Sequence, residues 1–237
     1  MDIKKNLEMI NNRIETACRK AGRHPSEVTL LPVTKTIPCS VIKEAFPLGL
    51  NRVGENMVQE AKRKAEELQD FDIDWCVIGH LQKNKAKYVA KFAKELHSLD
   101  NLKLASELDK RLQIEGRSMD ILIQVNSSGE IQKYGLPPED VLNFSKELSV
   151  FSSLKIRGLM TLALFSSTEE KVRSCFKKIY ELQELLRQKS SPKLNWDVLS
   201  MGMSGDFEIA IEEGATEIRI GQAIFGARHT TDSHYWP

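Results

Sequence analysis

The amino-acid sequence predicts a single (β/α)8 barrel of the TIM type with one additional helix at its N-terminus. Three observations lead there. Eight short apolar runs recur along the chain, each followed by a helical pattern or a short helical turn. No shift of composition and no Pro/Gly/Ser-rich linker divides the 237 residues. No G-x-G-x-x-G follows the first run, which removes support from the competing doubly wound open sheet, although strand order is not written in one sequence. The expected layout is one domain over residues 1–237: a helix over 1–22, a barrel over 28–228 and a short tail.

The elements follow in order. Ile3, Leu7, Ile10, Ile14 and Ala17 step by three and four residues, the stripe of an amphipathic helix that Gly22 ends. The strand-like runs are Thr29–Thr34, Leu50–Val53, Trp75–Ile78, Leu96–Leu99, Asp120–Val125, Lys155–Leu162, Asn195–Leu199 and Thr216–Ile220. Between them Met57, Ala61, Ala65 and Leu68 share one helical face, and Leu104, Leu108 and Leu112 share another. Val172, Cys175, Ile179, Leu182 and Leu186 form a third stripe, opened by the capping-box pattern Ser167-Thr-Glu-Glu170. Pro137 and Pro138 open a further helix where proline is tolerated.

Composition narrows the functional classes. Hydrophobic residues at 41% and charged residues at 28% give the balance of a folded soluble domain. Lys plus Arg is 34 against 33 Asp plus Glu, a net charge of +1, so a protein built to neutralise nucleic-acid phosphates is not expected. Lys83, Lys87, Lys91 and Lys94 fall on one helical face and read as solvated surface. No run reaches the roughly 20 apolar residues of a membrane span, and the charged N-terminus lacks the apolar core of a signal peptide. A cytoplasmic protein is the expectation. Cys18, Cys39, Cys76 and Cys175 are scattered, with no CxxC and no His at ligand spacing, so reduced buried cysteines and no metal site are expected.

In such a barrel the chemistry lies at the C-terminal ends of the strands. There the runs deliver Lys35, then Gly54-Glu55-Asn56, Gly79-His80, Asn126, Met160-Thr161, Ser200-Met-Gly-Met-Ser-Gly205, and Arg219 with Gly221. Strand alternation puts Leu31, Val33 and Lys35 on one face; Lys35 is either an amine for Schiff-base chemistry or a side chain reaching to solvent. Ser204 reads as the N-cap of a helix over Phe207–Glu213, and Ile220-Gly-Gln-Ala-Ile-Phe-Gly226 forms a second glycine-bounded turn. Turns after strands seven and eight are where these barrels frequently bind phosphate, and ordinary helix capping is the competing reading. Glu217 and Arg219 should point into the lumen, where Arg219 meets either a ligand or an inward carboxylate such as Glu217. His229 and His234 read as exposed tail residues, and the Asn126–Gly135 segment as a candidate lid.

Five segments stand out in order: Val33-Thr-Lys35-Thr, Val53-Gly-Glu-Asn-Met-Val-Gln-Glu60, Ile78-Gly-His-Leu-Gln-Lys-Asn-Lys85, Leu199-Ser-Met-Gly-Met-Ser204 and Ile218-Arg-Ile-Gly-Gln-Ala-Ile-Phe-Gly226. Together they resemble the pyridoxal-phosphate homeostasis proteins, single-domain relatives of bacterial alanine racemase. The resemblance runs from the first helix to Gly226. It implies a fold-type III barrel with pyridoxal 5'-phosphate (PLP) held as a Schiff base on Lys35. It also implies phosphate contacts from Met203, Ser204 and Gly221, Arg219 at the pyridine nitrogen, and Asn56 near the ring. Gly205 stands where many relatives have a polar residue. The implied role is intracellular PLP homeostasis, buffering the cofactor or delivering it to apo PLP-dependent enzymes, by a monomer with no catalytic residues of its own. A weak amino-acid racemase or a Schiff-base aldolase-like enzyme is the alternative. The sequence ends soon after the last barrel motif, so the second domain that supplies a racemase's other acid/base group is not expected.

Overall fold

The computed structural model describes residues 2–164, 168–191 and 194–226. Helix α1 (Ile3–Lys20) comes first, followed by β1 (Thr29–Pro32), α2 (Cys39–Ala45), β2 (Arg52–Glu55), α3 (Val58–Glu67) and β3 (Asp74–Val77). Next are α4 (Ala86–Phe92), β4 (Glu95–Leu99), α5 (Leu102–Ile114), β5 (Met119–Val125), α6 (Val141–Leu148) and β6 (Leu154–Thr161). The last elements among the described residues are α7 (Glu169–Lys189), β7 (Val198–Ser200), α8 (Phe207–Glu212), β8 (Glu217–Ile220) and α9 (Gln222–Phe225).

All eight strands pair in parallel, in the order β1-β8-β7-β6-β5-β4-β3-β2. A parallel bridge between Val33 and Gly54 brings β1 against β2 and all but closes the cylinder. The predicted TIM-type barrel is therefore the architecture observed. Parallel strands need a crossover between each pair, and the alternation of strands and helices supplies one every time.

The extra helix lies where its stripe sends it. Asp2 caps it by accepting the Lys5 N–H at 2.9 Å, and Ile3, Ile10, Ile14 and Ala17 are buried. Gly22 ends it at φ +67°, with the Arg23 N–H returning to the Cys18 carbonyl at 2.9 Å. Its apolar face packs on α8 and α9, and the Arg23 guanidinium donates to the Ile211 and Ala215 carbonyls, both at 2.8 Å. Each buried isoleucine contributes roughly 1.5–3 kcal/mol.

Four local expectations are corrected. The second strand begins at Arg52 instead of Leu50, because Gly49 turns the chain at φ +87° and Asn51 lies before the ladder; Glu55 thereby becomes its last residue. The seventh strand shrinks to Val198–Ser200, since the Asn195 side chain accepts the Asp197 N–H at 2.7 Å and bends the backbone before pairing starts. Met57 is the exposed N-cap of α3, and Val58 and Lys64 join Ala61 and Leu68 in the buried face. The N-cap position of helix α8 falls on Asp206, without a side-chain cap bond, and not on Ser204, because the chain makes one more hydrogen-bonded turn before it. Ser167, His229 and His234 lie outside the described residues; helix α7 starts after Thr168. The four cysteines are free and buried, and Lys83, Lys87, Lys91 and Lys94 are exposed, as the sequence predicts.

Candidate functional site

Lys35, Asn56, Met203, Ser204, Arg219 and Gly221 lie on one arc of the barrel rim, at the ends of β7, β8, β1 and β2, while His80, Asn126 and Thr161 stand at the ends of β3, β5 and β6. Strand β8 lies beside β1 with Leu31 opposite Arg219 and Pro32 opposite Ile220, and the Val33 N–H reaches the Ile220 carbonyl at 2.8 Å. Gly221 therefore sits beside Val33, where an added Cβ would meet the Val33 carbonyl oxygen at 3.1 Å. Lys35 follows two residues later, half-buried in a turn. On the other flank the Thr34 N–H bonds the Gly54 carbonyl at 3.0 Å, which puts Asn56 next to the same turn.

Arg219 is the anchor of this arc. It is 3% exposed, and its side chain donates to Ser200 Oγ at 2.8 Å and to the Thr161 carbonyl at 2.7 Å. A guanidinium carries five N–H donors, so these two bonds leave others for a further acceptor. The alternative of a direct ion pair with Glu217 is not what forms. The Ser200 hydroxyl donates to Glu217 Oε1 at 2.7 Å and so stands between them, while Glu217 Oε2 pairs with Arg52 at 2.6 Å. Burial pulls the Arg219 pKa down, and the nearby Glu217 and Asp206 carboxylates oppose that. A guanidinium starts so high that it stays charged.

The turn after β7 faces the same space. Gly202 takes φ +94°, and a Cβ there would come within 2.6 Å of Ala210 Cβ, so only glycine lets the turn pack on α8. Asp206 Oδ1 accepts the Met203 N–H at 2.6 Å, which occupies one amide of the expected phosphate cradle. Among the described residues, the Ser204 and Gly205 amides have no acceptor. Burial raises the Asp206 pKa, against the Met203 hydrogen bond and the Arg219 charge.

Lys64, beside Lys35, escaped the sequence reading, which named Glu55 and Glu60 without giving them a role. Lys64 is completely buried and donates to the Thr34 carbonyl at 2.6 Å, to Glu55 Oε1 at 2.7 Å and to Glu60 Oε1 at 2.8 Å. Burial drives the Glu55 pKa up to about 7, with Lys64 working against it. The available signal was a lysine three residues after Ala61, on the apolar face of α3.

Deeper in the lumen a second charged network links the strands. Arg52 forks onto Glu95 at 2.7 and 2.6 Å, and His97 Nε2 meets Glu95 Oε2 at 2.8 Å. Burial pushes the Glu95 carboxyl up, but the Arg52 and His97 hydrogen bonds outweigh it and hold the pKa well below the usual range. Ligand atoms of Cys76, Glu95 and His97 lie within 4.8 Å of one another, a grouping that sequence spacing hides. Arg52 already supplies positive charge to that carboxylate.

The 126–135 segment spans the rim and is tied down. Asn126 Nδ2 donates to the Glu130 carbonyl at 2.8 Å, Lys133 Nζ donates to the Ala163 carbonyl at 2.9 Å, and the Leu136 N–H bonds the Gln124 carbonyl at 2.9 Å. Tyr134 stacks on His80 at the end of β3, with ring centroids 3.9 Å apart and planes within 11°.

The chain is similar to known proteins over nearly its whole length. Residues 6–229 fit the family model of the alanine racemase N-terminal domain. The pyridoxal phosphate homeostasis protein of Aquifex aeolicus is 42% identical over 222 residues, 94% of this chain and 96% of its own. PipY of Synechococcus elongatus PCC7942, solved with PLP bound, is 36% identical and superposes with a TM-score of 0.78, covering 92% of this chain and all of PipY. An alanine racemase of Clostridium difficile shares the fold alone, at 13% identity and a TM-score of 0.72, covering 98% of this chain and 58% of the racemase.

Proposed function

Because the chain belongs to the family of pyridoxal phosphate homeostasis proteins, we propose that it binds PLP on the β7–β8–β1–β2 arc and serves to store and hand on that cofactor. The observation that carries the reading is Arg219. A buried guanidinium with donors to spare, on the strand beside the one that leads into the Lys35 turn, fits an acceptor such as a pyridine nitrogen. Lys35 holds the cofactor covalently, as a Schiff base. Ser204, Gly221 and the neighbouring amides receive the phosphate, with Met203 beside them, and Asn56 lies by the ring.

Bound PLP supplies a reactive aldehyde and a ring that stabilises carbanions when its nitrogen is protonated. Arg219 keeps its own proton on the guanidinium, so the nitrogen receives a hydrogen bond and not a proton. That arrangement weakens the ring as an electron sink and favours holding over turnover. The protein therefore acts as a cytoplasmic, monomeric carrier for apo PLP enzymes, not as an enzyme. A weak racemase or an aldolase-like activity is the competing outcome.

Adding PLP to purified protein should produce visible Schiff-base absorbance and a borohydride-stable adduct on Lys35. A Lys35→Ala protein that kept the same covalent adduct defeats the assignment. Loaded protein should reactivate an apo PLP enzyme, whereas turnover of about 1 per second or more on an amino-acid panel returns the question to catalysis.

A further inference from the structure

Lys64 is a buried cation that the proposed binding role leaves unused. An ammonium cut off from water is destabilising unless its N–H groups meet acceptors, and this one has three in Thr34, Glu55 and Glu60. The acceptors bracket Lys35. The Thr34 carbonyl stands just before it, and Glu60 Oε1 also accepts the Thr36 N–H just after it, at 2.7 Å. Glu55 fastens the near side a second time by accepting the Thr34 hydroxyl at 2.7 Å.

Thr36 takes φ +68°, and it is the only residue other than glycine with positive φ among the described residues. A β-branched residue rarely adopts that conformation and keeps it only where the surroundings impose it. Here two contacts impose it: the Ile37 N–H closes the turn on the Thr34 carbonyl at 2.9 Å, and the Thr36 amide is held from the side by Glu60. Helix α3 thus reaches from outside the barrel to fix a strained turn on the rim.

We propose that Lys64, Glu60 and Glu55 are positioning residues that clamp both sides of the Thr34–Lys35–Thr36 turn and so hold the Lys35 amine where it captures an aldehyde. The clamp rests on the reading of Lys35 as the PLP-bearing residue. No bond to the cofactor is assigned to the three clamp residues; they act on the turn alone.

The test uses the full chain stripped of cofactor, with PLP as probe and 4'-deoxypyridoxine 5'-phosphate, which lacks the aldehyde, as control. Capture is timed by borohydride quenching and peptide mapping. In Glu60→Ala the Thr36 amide loses its acceptor, and capture should slow about tenfold or more. Binding of the deoxy analogue should stay within about twofold, because the phosphate turns are untouched. Glu60→Gln keeps an oxygen for the Thr36 amide and should restore most of the capture rate. Lys64→Met should slow capture as well; if it does not fold, the Glu60 pair decides. Capture at the wild-type rate in Glu60→Ala, parallel loss of analogue binding, or no rescue by Gln overturns the clamp. An adduct on a residue other than Lys35 in the unmodified protein overturns the Lys35 reading and the clamp together. An adduct on Lys35 with full-speed Glu60→Ala removes the clamp alone.

Discussion

Strands β5 and β6 pair without a break in coverage from Met119 opposite Leu154 to Val125 opposite Thr161, with one register shift. Strands β7 and β8 share a single register pair, Ser200 with Glu217, and β1 meets β2 through one bridge. The packing follows the same division. Around β5 and β6, Ile121, Ile123, Val125 and Leu159 are buried among apolar neighbours, in the same core as Phe176 of α7, which packs on β6. Around β8, Glu217 and Arg219 are buried instead, satisfied by Ser200, Arg52 and the Thr161 carbonyl. One arc supplies cohesion and the other supplies chemistry. Buried charges and short ladders stabilise less than apolar packing, so a site placed there relies on the rest of the barrel to hold it.

The largest effect that sharpens this contrast belongs to the apolar arc. Phe176→Ala should cost about 3–5 kcal/mol of stability, measured by urea unfolding, while PLP affinity of the surviving folded fraction stays near wild type. An affinity loss of the same size would show that the two arcs are not separable. Arg219→Met shifts the balance: PLP binding should weaken about 10- to 100-fold, from a lost charge-assisted hydrogen bond, with a smaller apo-stability loss than Phe176→Ala, about 1–3 kcal/mol for the Thr161 carbonyl left unpaired. Titration of the stripped protein with PLP, next to an unfolding curve, reads both.

The pH dependence offers a subtler break. Glu55 has its folded pKa raised to about 7, above its unfolded value near 4.5, so the folded state binds the proton more tightly. Its contribution to stability should therefore fall as pH rises from about 4.5 to 7 and then level off. Glu55→Gln should flatten that part of the unfolding profile. Glu95 has the opposite sign: its depressed pKa contributes stability above the unfolded value that is lost on acidification. An unaltered profile in Glu55→Gln would leave Glu55 outside the titrating network.

The smallest effect concerns the strap over the rim. Tyr134→Ala removes the stack on His80 and should cost only about 0.5–1.5 kcal/mol, since both rings are exposed. Its readout is faster protease cleavage within 126–135, with the melting temperature nearly unchanged. Resistance equal to wild type would assign the ordering of the strap to Asn126 and Lys133 alone.

Periodicity determined the eight strands and the longer helices, because apolar spacing at two or about 3.6 residues reports which face each segment buries, while the short helices α2 and α9 carry too few residues to show a period. It also determined which residues stand at strand ends, and hence Lys35, Asn56, the 201–205 turn, Arg219 and Gly221, without any knowledge of strand order. Inward parity of Glu217 and Arg219 was legible in the alternation of Thr216–Ile220. Only the tertiary structure decided what those side chains meet. Ser200 separates Arg219 from Glu217, Arg52 takes the carboxylate instead, and Asp206 folds back onto Met203. Lys64 and Thr34 lie 30 residues apart in sequence, and Cys76, Glu95 and His97 come from two neighbouring strands. Such partners are chosen by strand register and by the closure of the barrel, which are properties of the whole sheet that no local pattern encodes.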